Sequence, residues 1–236
     1  MVSVNLNNRN WKHVFWLFGA CLMVFGLPFM LLKIIGINID LFYLVFLTCG
    51  VLFIRFYAKR TSLKLKPALN SGWALGIILA VFIGVALLSY TLSIKANLLH
   101  LESNSNFLAV LWRGVIFGII SAAMISAFPF VVVWRALAGI NPNNFRKTGV
   151  TFIAIIAISL TSLSYSLGIS GFNRDRVIHN TRMNLLIGIP TLISGNPIAS
   201  PIAGAFLYSG ESMFIENKSD TTSGIKLAVK NTGGSD

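Results

Sequence analysis

The sequence predicts an all-α protein, a polytopic bundle of about six transmembrane helices whose last segment is broken by proline and glycine. Hydrophobic residues make up 55% of the 236-residue chain and charged residues only 11%, against roughly 25% charged in a typical soluble domain. The apolar residues gather in six stretches, and five of them come close to or exceed the roughly 20 residues that a helix needs to cross the hydrocarbon core. The stretches are residues 14–32, 41–54, 72–94, 107–134, 149–170 and 185–208.

The first two stretches are bordered by polar residues. Arg9 and Lys12 precede the first one. The second is the shortest, and it reaches spanning length when Asp40 and the residues up to Tyr57 lie at the headgroups, where polar side chains can reach out of the lipid. Both stretches are therefore predicted to be spans.

The third and fourth stretches each carry a small residue at every fourth position, which forms one flat stripe along a helix. Such stripes let helix backbones approach closely, and in lipid this packing replaces the hydrophobic effect. They predict that the two spans pack together or against other spans, and the alternative is a face for a homo-oligomer or a membrane-protein partner. The stripes are Gly72, Gly76, Ala80 and Gly84, and Gly114, Gly118, Ala122 and Ser126.

Arg113 is a charge about two turns inside the fourth stretch. A charge within a span costs at least a few kcal/mol, so it faces protein, water or a partner, unless it is shallow enough to reach the headgroups. Glu102, in the preceding loop, is the nearest acid along the sequence. We interpret both as candidate functional residues, and a pairing between them would lie at the outer mouth of the bundle.

The fifth stretch is rich in hydroxyl groups. Serine and threonine in such helices bond to the backbone of their own helix or to a neighbouring helix. The alternative is that these hydroxyls line a path for a substrate. The residues are Thr151, Ser159, Thr161, Ser162, Ser164 and Ser166.

The last stretch is not a simple helix, because Pro190, Gly195, Pro197 and Pro201 interrupt it. Proline removes a backbone donor and clashes with the preceding turn, and broken backbone at membrane depth requires protein or a wet cavity around it. Residues 190–201 are therefore predicted to form a re-entrant or unwound element, with a kinked helix or an interfacial hairpin as the alternative. Asn196 and Pro197 are its candidate functional residues.

Residues 1–208 form one predicted transmembrane domain, and residues 209–236 a polar C-terminal tail, mobile from Ser219 onward. With six alternating spans, twelve basic residues outside the spans share a side with both termini and five lie opposite, three of them Arg174, Arg176 and Arg182. The positive-inside rule then places both termini in the cytoplasm and the protein in a cell membrane.

The net charge of +12 follows from this arrangement, because membrane proteins collect lysine and arginine in loops next to their spans. Nucleic acid is therefore not a predicted partner, and the lipid bilayer is. His13, His100 and His179 all fall near predicted span ends, outside any cluster with metal-ligand spacing. No phosphate-binding loop or nucleophile elbow occurs. We predict no catalytic residue, metal or cofactor.

The run from Leu108 to Gly118 resembles the first motif of the CPBP (CAAX-protease and bacteriocin-processing) glutamic intramembrane proteases, which is Glu-Glu-x-x-x-Arg followed by Gly and Phe-Gly. Leu108 and Ala109 stand where that family has its glutamates, and the later Phe-x-x-x-His and His-x-x-x-Asn motifs do not follow in order. The resemblance implies a catalytically degenerate relative, because a glutamic protease needs a carboxylate to activate water. The matching residues are Arg113, Gly114, Phe117 and Gly118.

Residues 112–134 and 187–203 resemble a group of uncharacterised bacterial multi-pass membrane proteins, and this resemblance implies no activity. We predict a non-catalytic integral membrane protein that acts as a partner-binding or accessory subunit. One alternative is a small-solute transporter or channel-like protein, in which a wet cavity joins Arg113, the hydroxyls of the fifth stretch and Asn196. The other is a CPBP-type hydrolase, which needs Glu102 and a histidine beside Arg113.

Overall fold

A computed structural model describes residues 8–62, 72–99, 107–137 and 144–213, with side chains described for residues 12–62, 72–94, 107–137 and 149–213. These residues form helices and no strand, as the sequence predicts. Seven helices are formed by the described residues: α1, Asn8–Pro28 with a π-helical continuation Phe29–Ile35; α2, Ile39–Thr61; α3, Trp73–Leu99; α4, Phe107–Leu137; α5, Asn144–Ser170; α6, Arg174–Ser194; and α7, Ala199–Ser212.

Successive helices run in opposite directions, so the bundle has two ends. Asp40 at the start of α2 and Ser170 at the end of α5 lie at one end, which we call the Asp40 end. Tyr57 near the end of α2 and Asn196, between α6 and α7, lie at the other, which we call the Asn196 end.

Five helices are long and apolar enough to cross a membrane, namely Lys12–Ile35, Ile39–Thr61, Trp73–Ile94, Phe107–Leu137 and Gly149–Ser170. They correspond to the first five predicted stretches. The central helix is α4, because 67% of the residues in its apolar segment are buried inside the bundle, against 17–44% for the other four helices. Two π-helical turns, Val110–Ile116 and Ala123–Ala127, interrupt its α-helical pattern.

The sixth predicted stretch is divided between two antiparallel helices. Gly195 ends α6 in the left-handed conformation, at φ 69°, which glycine adopts without strain. The chain then turns through Asn196 and Pro197 and enters α7. The predicted break is therefore confirmed as an unwound turn, and it joins two full helices. Neither α6 nor α7 is among the five helices with spanning length and hydropathy.

Both small-residue stripes pack against the α6–α7 hairpin, one from each side. On α3, Gly76 lies against Ser194 and Asn196, and Gly84 lies against the ring of Phe206. Within the described residues, both stripes therefore lie against neighbouring helices of the same chain. The main neighbours of α3 are α7 and α6 rather than α4. A face for a homo-oligomer or a membrane-protein partner stays a prediction.

The stripe on α4 meets the other side of α7. A Cβ atom at Gly114 would lie 2.5 Å from Cα of Ser209, and one at Gly118 would lie 2.8 Å from the carbonyl oxygen of Gly204. Ala122 lies directly against Gly204. Three small residues of α4 thus bring its backbone into contact with the backbone of α7, which α3 flanks from the opposite side.

Helix α7 continues through Ser212, four residues past the predicted boundary at residue 208, and Gly210 and Ser212 are buried. The predicted tail beyond Met213 lies outside the described residues. Because the seven described helices alternate in direction, the start of α1 and the end of α7 lie at opposite ends of the bundle. Alternating helices therefore no longer assign both termini to one side. With the three tail lysines counted on the side opposite the start of α1, the charge bias falls from twelve against five to nine against eight, and the orientation stays a prediction.

Candidate functional site

Arg113 forms an ion pair with Asp40 at the Asp40 end of the bundle. Nε of Arg113 donates to one carboxylate oxygen at 2.7 Å, and Nη2 donates to the other at 2.6 Å. This bidentate arrangement is the strongest geometry for such a pair. The side chains are 19% and 42% exposed, respectively, so the pair is only partly shielded from the surroundings.

The local structure of α2 and α4 positions the two charges. Asn38 caps α2 by accepting a hydrogen bond from the backbone nitrogen of Asp40 at 2.9 Å. Arg113 lies in the first π-helical turn of α4, and such turns shift the direction of side chains relative to a regular helix. The sequence indicated that Arg113 needed a partner but named Glu102, which lies outside the described residues. The sequence placed Asp40 at the headgroups, at the start of the second stretch. It meets Arg113 only through the packing of α2 against α4.

An aromatic layer separates this ion pair from the interior. The ring of Tyr43 packs on Phe117 with centroids 4.0 Å apart, and Phe117 meets Tyr208 edge-on with centroids 5.6 Å apart. Tyr208 belongs to α7, so α2, α4 and α7 meet at Phe117. The ion pair is thereby connected by packing to a second polar region on the far side of the layer.

That second region is a cavity between α5, α6 and α7, which we call the polar cleft. Its volume is about 40 Å³, room for a few water molecules at roughly 10–15 Å³ each. The hydroxyl of Tyr208 donates to Oδ1 of Asn184 at 3.4 Å, and Nδ2 of Asn180 donates to the Ser170 hydroxyl at 2.9 Å. The lining residues are Tyr165, Ile169, Asn180, Met183, Asn184, Leu207, Tyr208 and Glu211.

Tyr165 is the unusual member of the polar cleft. Its side chain is 2% exposed, and its hydroxyl points towards Tyr208 and Ser121 without completing a hydrogen bond to either. The hydroxyl of Ser121 is likewise buried and makes no hydrogen bond within the described part of the protein. Leaving such a group unsatisfied costs about 1–3 kcal/mol. No sequence signal marks Tyr165, because tyrosine is common in apolar stretches and the residues near its hydroxyl, Tyr208 and Ser121, belong to other helices.

Three hydroxyls of α5 bond to backbone carbonyls, whereas the buried hydroxyl of Ser162 makes no hydrogen bond within the described residues. Ser159 and Ser166 each donate to the carbonyl four residues earlier, at 2.8 and 2.7 Å. Thr161 donates within α5 and also reaches the carbonyl oxygen of Ile125 on α4, at 2.7 Å. Three hydroxyls of the predicted polar lining are therefore satisfied by backbone.

Asn196 and Pro197 form the buried turn at the Asn196 end. Oδ1 of Asn196 accepts from the backbone nitrogen of Ile198 at 2.9 Å, and its own backbone nitrogen donates to the Ser194 hydroxyl at 3.1 Å. Asn196 is 2% exposed and Pro197 is buried as well. Asn196, a candidate functional residue from the sequence, thus shapes this turn.

Thr191 fixes the start of α7 to α6. Its hydroxyl oxygen accepts from the backbone nitrogen of Ser200 at 3.0 Å and lies 2.6 Å from the Ser200 hydroxyl. We expect Thr191→Val to lower the free energy of unfolding by about 1–3 kcal/mol. Valine has nearly the shape of threonine but no hydroxyl, so the buried backbone nitrogen of Ser200 would lose its acceptor. Thermal unfolding in nanodiscs measures this. Ser200→Ala keeps the backbone bond and should cost less, and equal losses would contradict this account.

The polar cleft does not join the three positions that the transporter hypothesis requires. Arg113 lies at the Asp40 end, and Asn196 lies at the opposite end. The polar cleft includes Tyr165 of α5 but neither of these residues.

The hydrolase hypothesis depends on residues that the structure does not describe, Glu102 and His100. Of the other two histidines, His13 is hydrogen-bonded to Tyr57 towards the Asn196 end at 3.1 Å, and His179 is exposed on α6. The described residues contain no cluster of three histidine, cysteine, aspartate or glutamate side chains able to hold a metal ion. Comparison with protein-family models, curated proteins and solved structures gives no match to the chain.

Proposed function

We propose that this protein is a multi-pass integral membrane protein with a non-catalytic role, an accessory subunit that binds an acidic partner. The distribution of exposed residues supports the membrane assignment. Large apolar side chains cover the outside of the long helices, and Phe15, Phe82 and Phe107 are each more than 70% exposed. Soluble proteins rarely expose apolar patches of this extent.

The engagement of the reactive side chains supports a non-catalytic role. Arg113 is held by Asp40, Asn196 is held in a turn, and Thr191 is held by the start of α7. Catalytic groups need a reacting atom within hydrogen-bond distance. These side chains are instead occupied by structural bonds, and they stabilise the contacts between helices.

A basic outer face on α6 supports a partner, and this observation carries the proposal. Arg174, Arg176, His179 and Arg182 are all exposed in the first half of α6, with Asp175 as the one acid among them. We call these four basic residues the α6 outer face. Further along the same helix, Leu186 and Ile193 are exposed instead, as on the other long helices.

Arg182 lies deep along α6, so exposing its charge to lipid would cost free energy. Arg182 lies two residues from Asn184, whose carbonyl oxygen accepts a hydrogen bond from Ser126 near the middle of α4. A charged side chain well inside a bilayer costs several kcal/mol unless it reaches water or an opposite charge. An acidic segment of another membrane protein would supply that charge.

The test is photo-crosslinking in membranes of the source organism. We expect a benzoylphenylalanine side chain at Ile178, within the α6 outer face, to give a discrete protein adduct that carbonate washing does not remove. The matched control is the same side chain at Phe82, which is exposed on the outside of α3 and should crosslink to lipid. Arg176→Glu with Arg182→Glu should abolish the adduct at Ile178.

Three results would contradict parts of this proposal. Release of the protein itself by carbonate would overturn the membrane assignment. Lipid adducts alone at both positions would mean that the α6 outer face binds anionic headgroups and not a subunit. A protein adduct at Ile178 that survives both charge reversals would remove the electrostatic basis for the partner.

A further inference from the structure

The polar cleft is a built site that the proposed accessory function does not use. It lies between α5, α6 and α7, away from the α6 outer face, and it contains a buried hydroxyl without a partner. We propose that the polar cleft binds a small monovalent cation, which contacts the hydroxyl of Tyr165 and the carboxylate of Glu211. This site does not depend on the accessory function.

The hydroxyl of Tyr165 is the first indication of a bound species. It has no hydrogen-bond partner among the described residues, and its side chain is 2% exposed in the wall of the cavity. Buried polar groups in native proteins are almost always satisfied by protein, ordered water or a ligand. A bound species in the polar cleft would therefore complete the coordination of this oxygen.

The chemistry of the lining indicates the charge of that species. Among the described residues of the wall, the polar side chains are two tyrosines, two asparagines and one glutamate, with no lysine, arginine or histidine. Glu211 lies close enough to interact electrostatically with Tyr165 and Tyr208. Oxygen atoms with one carboxylate suit a hard cation, whereas an anion would meet a negative charge and no basic group.

The single carboxylate among the described lining residues favours a monovalent ion. Divalent sites use several carboxylates to balance the charge, and Glu211 is the one carboxylate in this lining. Ile169, Met183 and Leu207 form the rest of the wall and lower the local dielectric constant, which strengthens the attraction between a carboxylate and a cation.

Volume sets the size of the ion. A cavity of about 40 Å³ holds an alkali or ammonium ion with one or two waters, at roughly 10–15 Å³ for each water. It is far smaller than the roughly 150 Å³ cavity that accepts benzene, so a drug-sized organic cation does not fit.

Thermal unfolding of the full chain in nanodiscs of neutral lipid tests the proposal. Sodium, potassium or ammonium chloride would be titrated against N-methylglucamine chloride at constant ionic strength. We expect a saturable rise in Tm for at least one small cation, because a ligand that binds only the folded state stabilises it. Glu211→Gln should weaken the apparent affinity about tenfold or more, in keeping with the loss of a charged contact.

Tyr165→Phe distinguishes a bound cation from bound water. The variant removes the unsatisfied hydroxyl, so its Tm without added cation should be equal to or higher than that of the wild type, while its response to the cation weakens. Asp175→Asn removes an exposed acid of α6 outside the cleft and should keep the full response. If no cation raises the wild-type Tm, or if Glu211→Gln responds like the wild type, the cleft holds water alone and the proposal fails.

Discussion

Gly118→Leu should lower the free energy of unfolding by about 3 kcal/mol or more, the upper range for overpacking a tight interface. A Cβ atom at Gly118 would lie 2.8 Å from the carbonyl oxygen of Gly204 and 3.2 Å from Cα of Ala205. Both are backbone atoms, so no change of rotamer can relieve the clash, and α7 must move away from α4. Gly118→Ala should destabilise as well, by about 1–2 kcal/mol, although alanine favours helices over glycine.

Gly26 provides the matched control for this experiment. It also lies within a long apolar helix, but a Cβ atom there would meet nothing within 4 Å. Gly26→Leu and Gly26→Ala should therefore leave Tm in nanodiscs unchanged or slightly raised. If Gly118→Leu instead unfolds at the wild-type temperature and only changes the oligomeric state, the stripe on α4 is an intermolecular face and our description of α7 is wrong.

Asp40→Asn should lower the free energy of unfolding by about 1–2 kcal/mol, because it leaves the guanidinium of Arg113 partly buried without a counter-charge. A fully buried pair broken from one side costs roughly 3–5 kcal/mol, and the 42% exposure of Asp40 lowers the expected loss. Arg113→Lys should lose part of this stability as well, because an ammonium cannot make both bonds of the bidentate pair.

Glu102→Gln tests the partner that the sequence indicated. It should leave Tm unchanged if Asp40 alone balances Arg113. A double variant, Asp40→Asn with Arg113→Gln, should be less destabilised than the sum of its single changes, since each single change already removes the interaction. Strict additivity would show that the ion pair does not contribute to stability. A loss in Glu102→Gln equal to that in Asp40→Asn would show that Asp40 does not balance Arg113 alone.

The fold was predictable where the signal is local. Runs of apolar residues define the five long helices, and Gly195 with Pro197 marks the break in the sixth stretch, because these residues limit what the backbone can do. The number of helices was not predictable in this way. The first half of α6 is polar and α7 is only 14 residues long, so hydropathy merges two antiparallel helices into one stretch.

The candidate site was predictable only in part. A charge inside an apolar stretch drew attention to Arg113 from sequence alone, and the need for a partner was correct. The partner that the structure shows, Asp40, was not predictable, because it is 73 residues away along the chain and meets Arg113 through the packing of α2 against α4. Glu102 lies outside the described residues. The polar cleft has no sequence signal, since its oxygen atoms come from three helices and include ordinary tyrosines and asparagines.

The position of α7 has a consequence for how the protein is made. α3 finds its main neighbour in α7, which begins about 100 residues after α3 ends. At roughly 5–20 residues per second of translation, α3 is complete for about 5–20 s before α7 exists. During that interval the glycine-lined surface of α3 lacks its main neighbour, so we expect the native packing of α3 to be completed only after synthesis reaches α7.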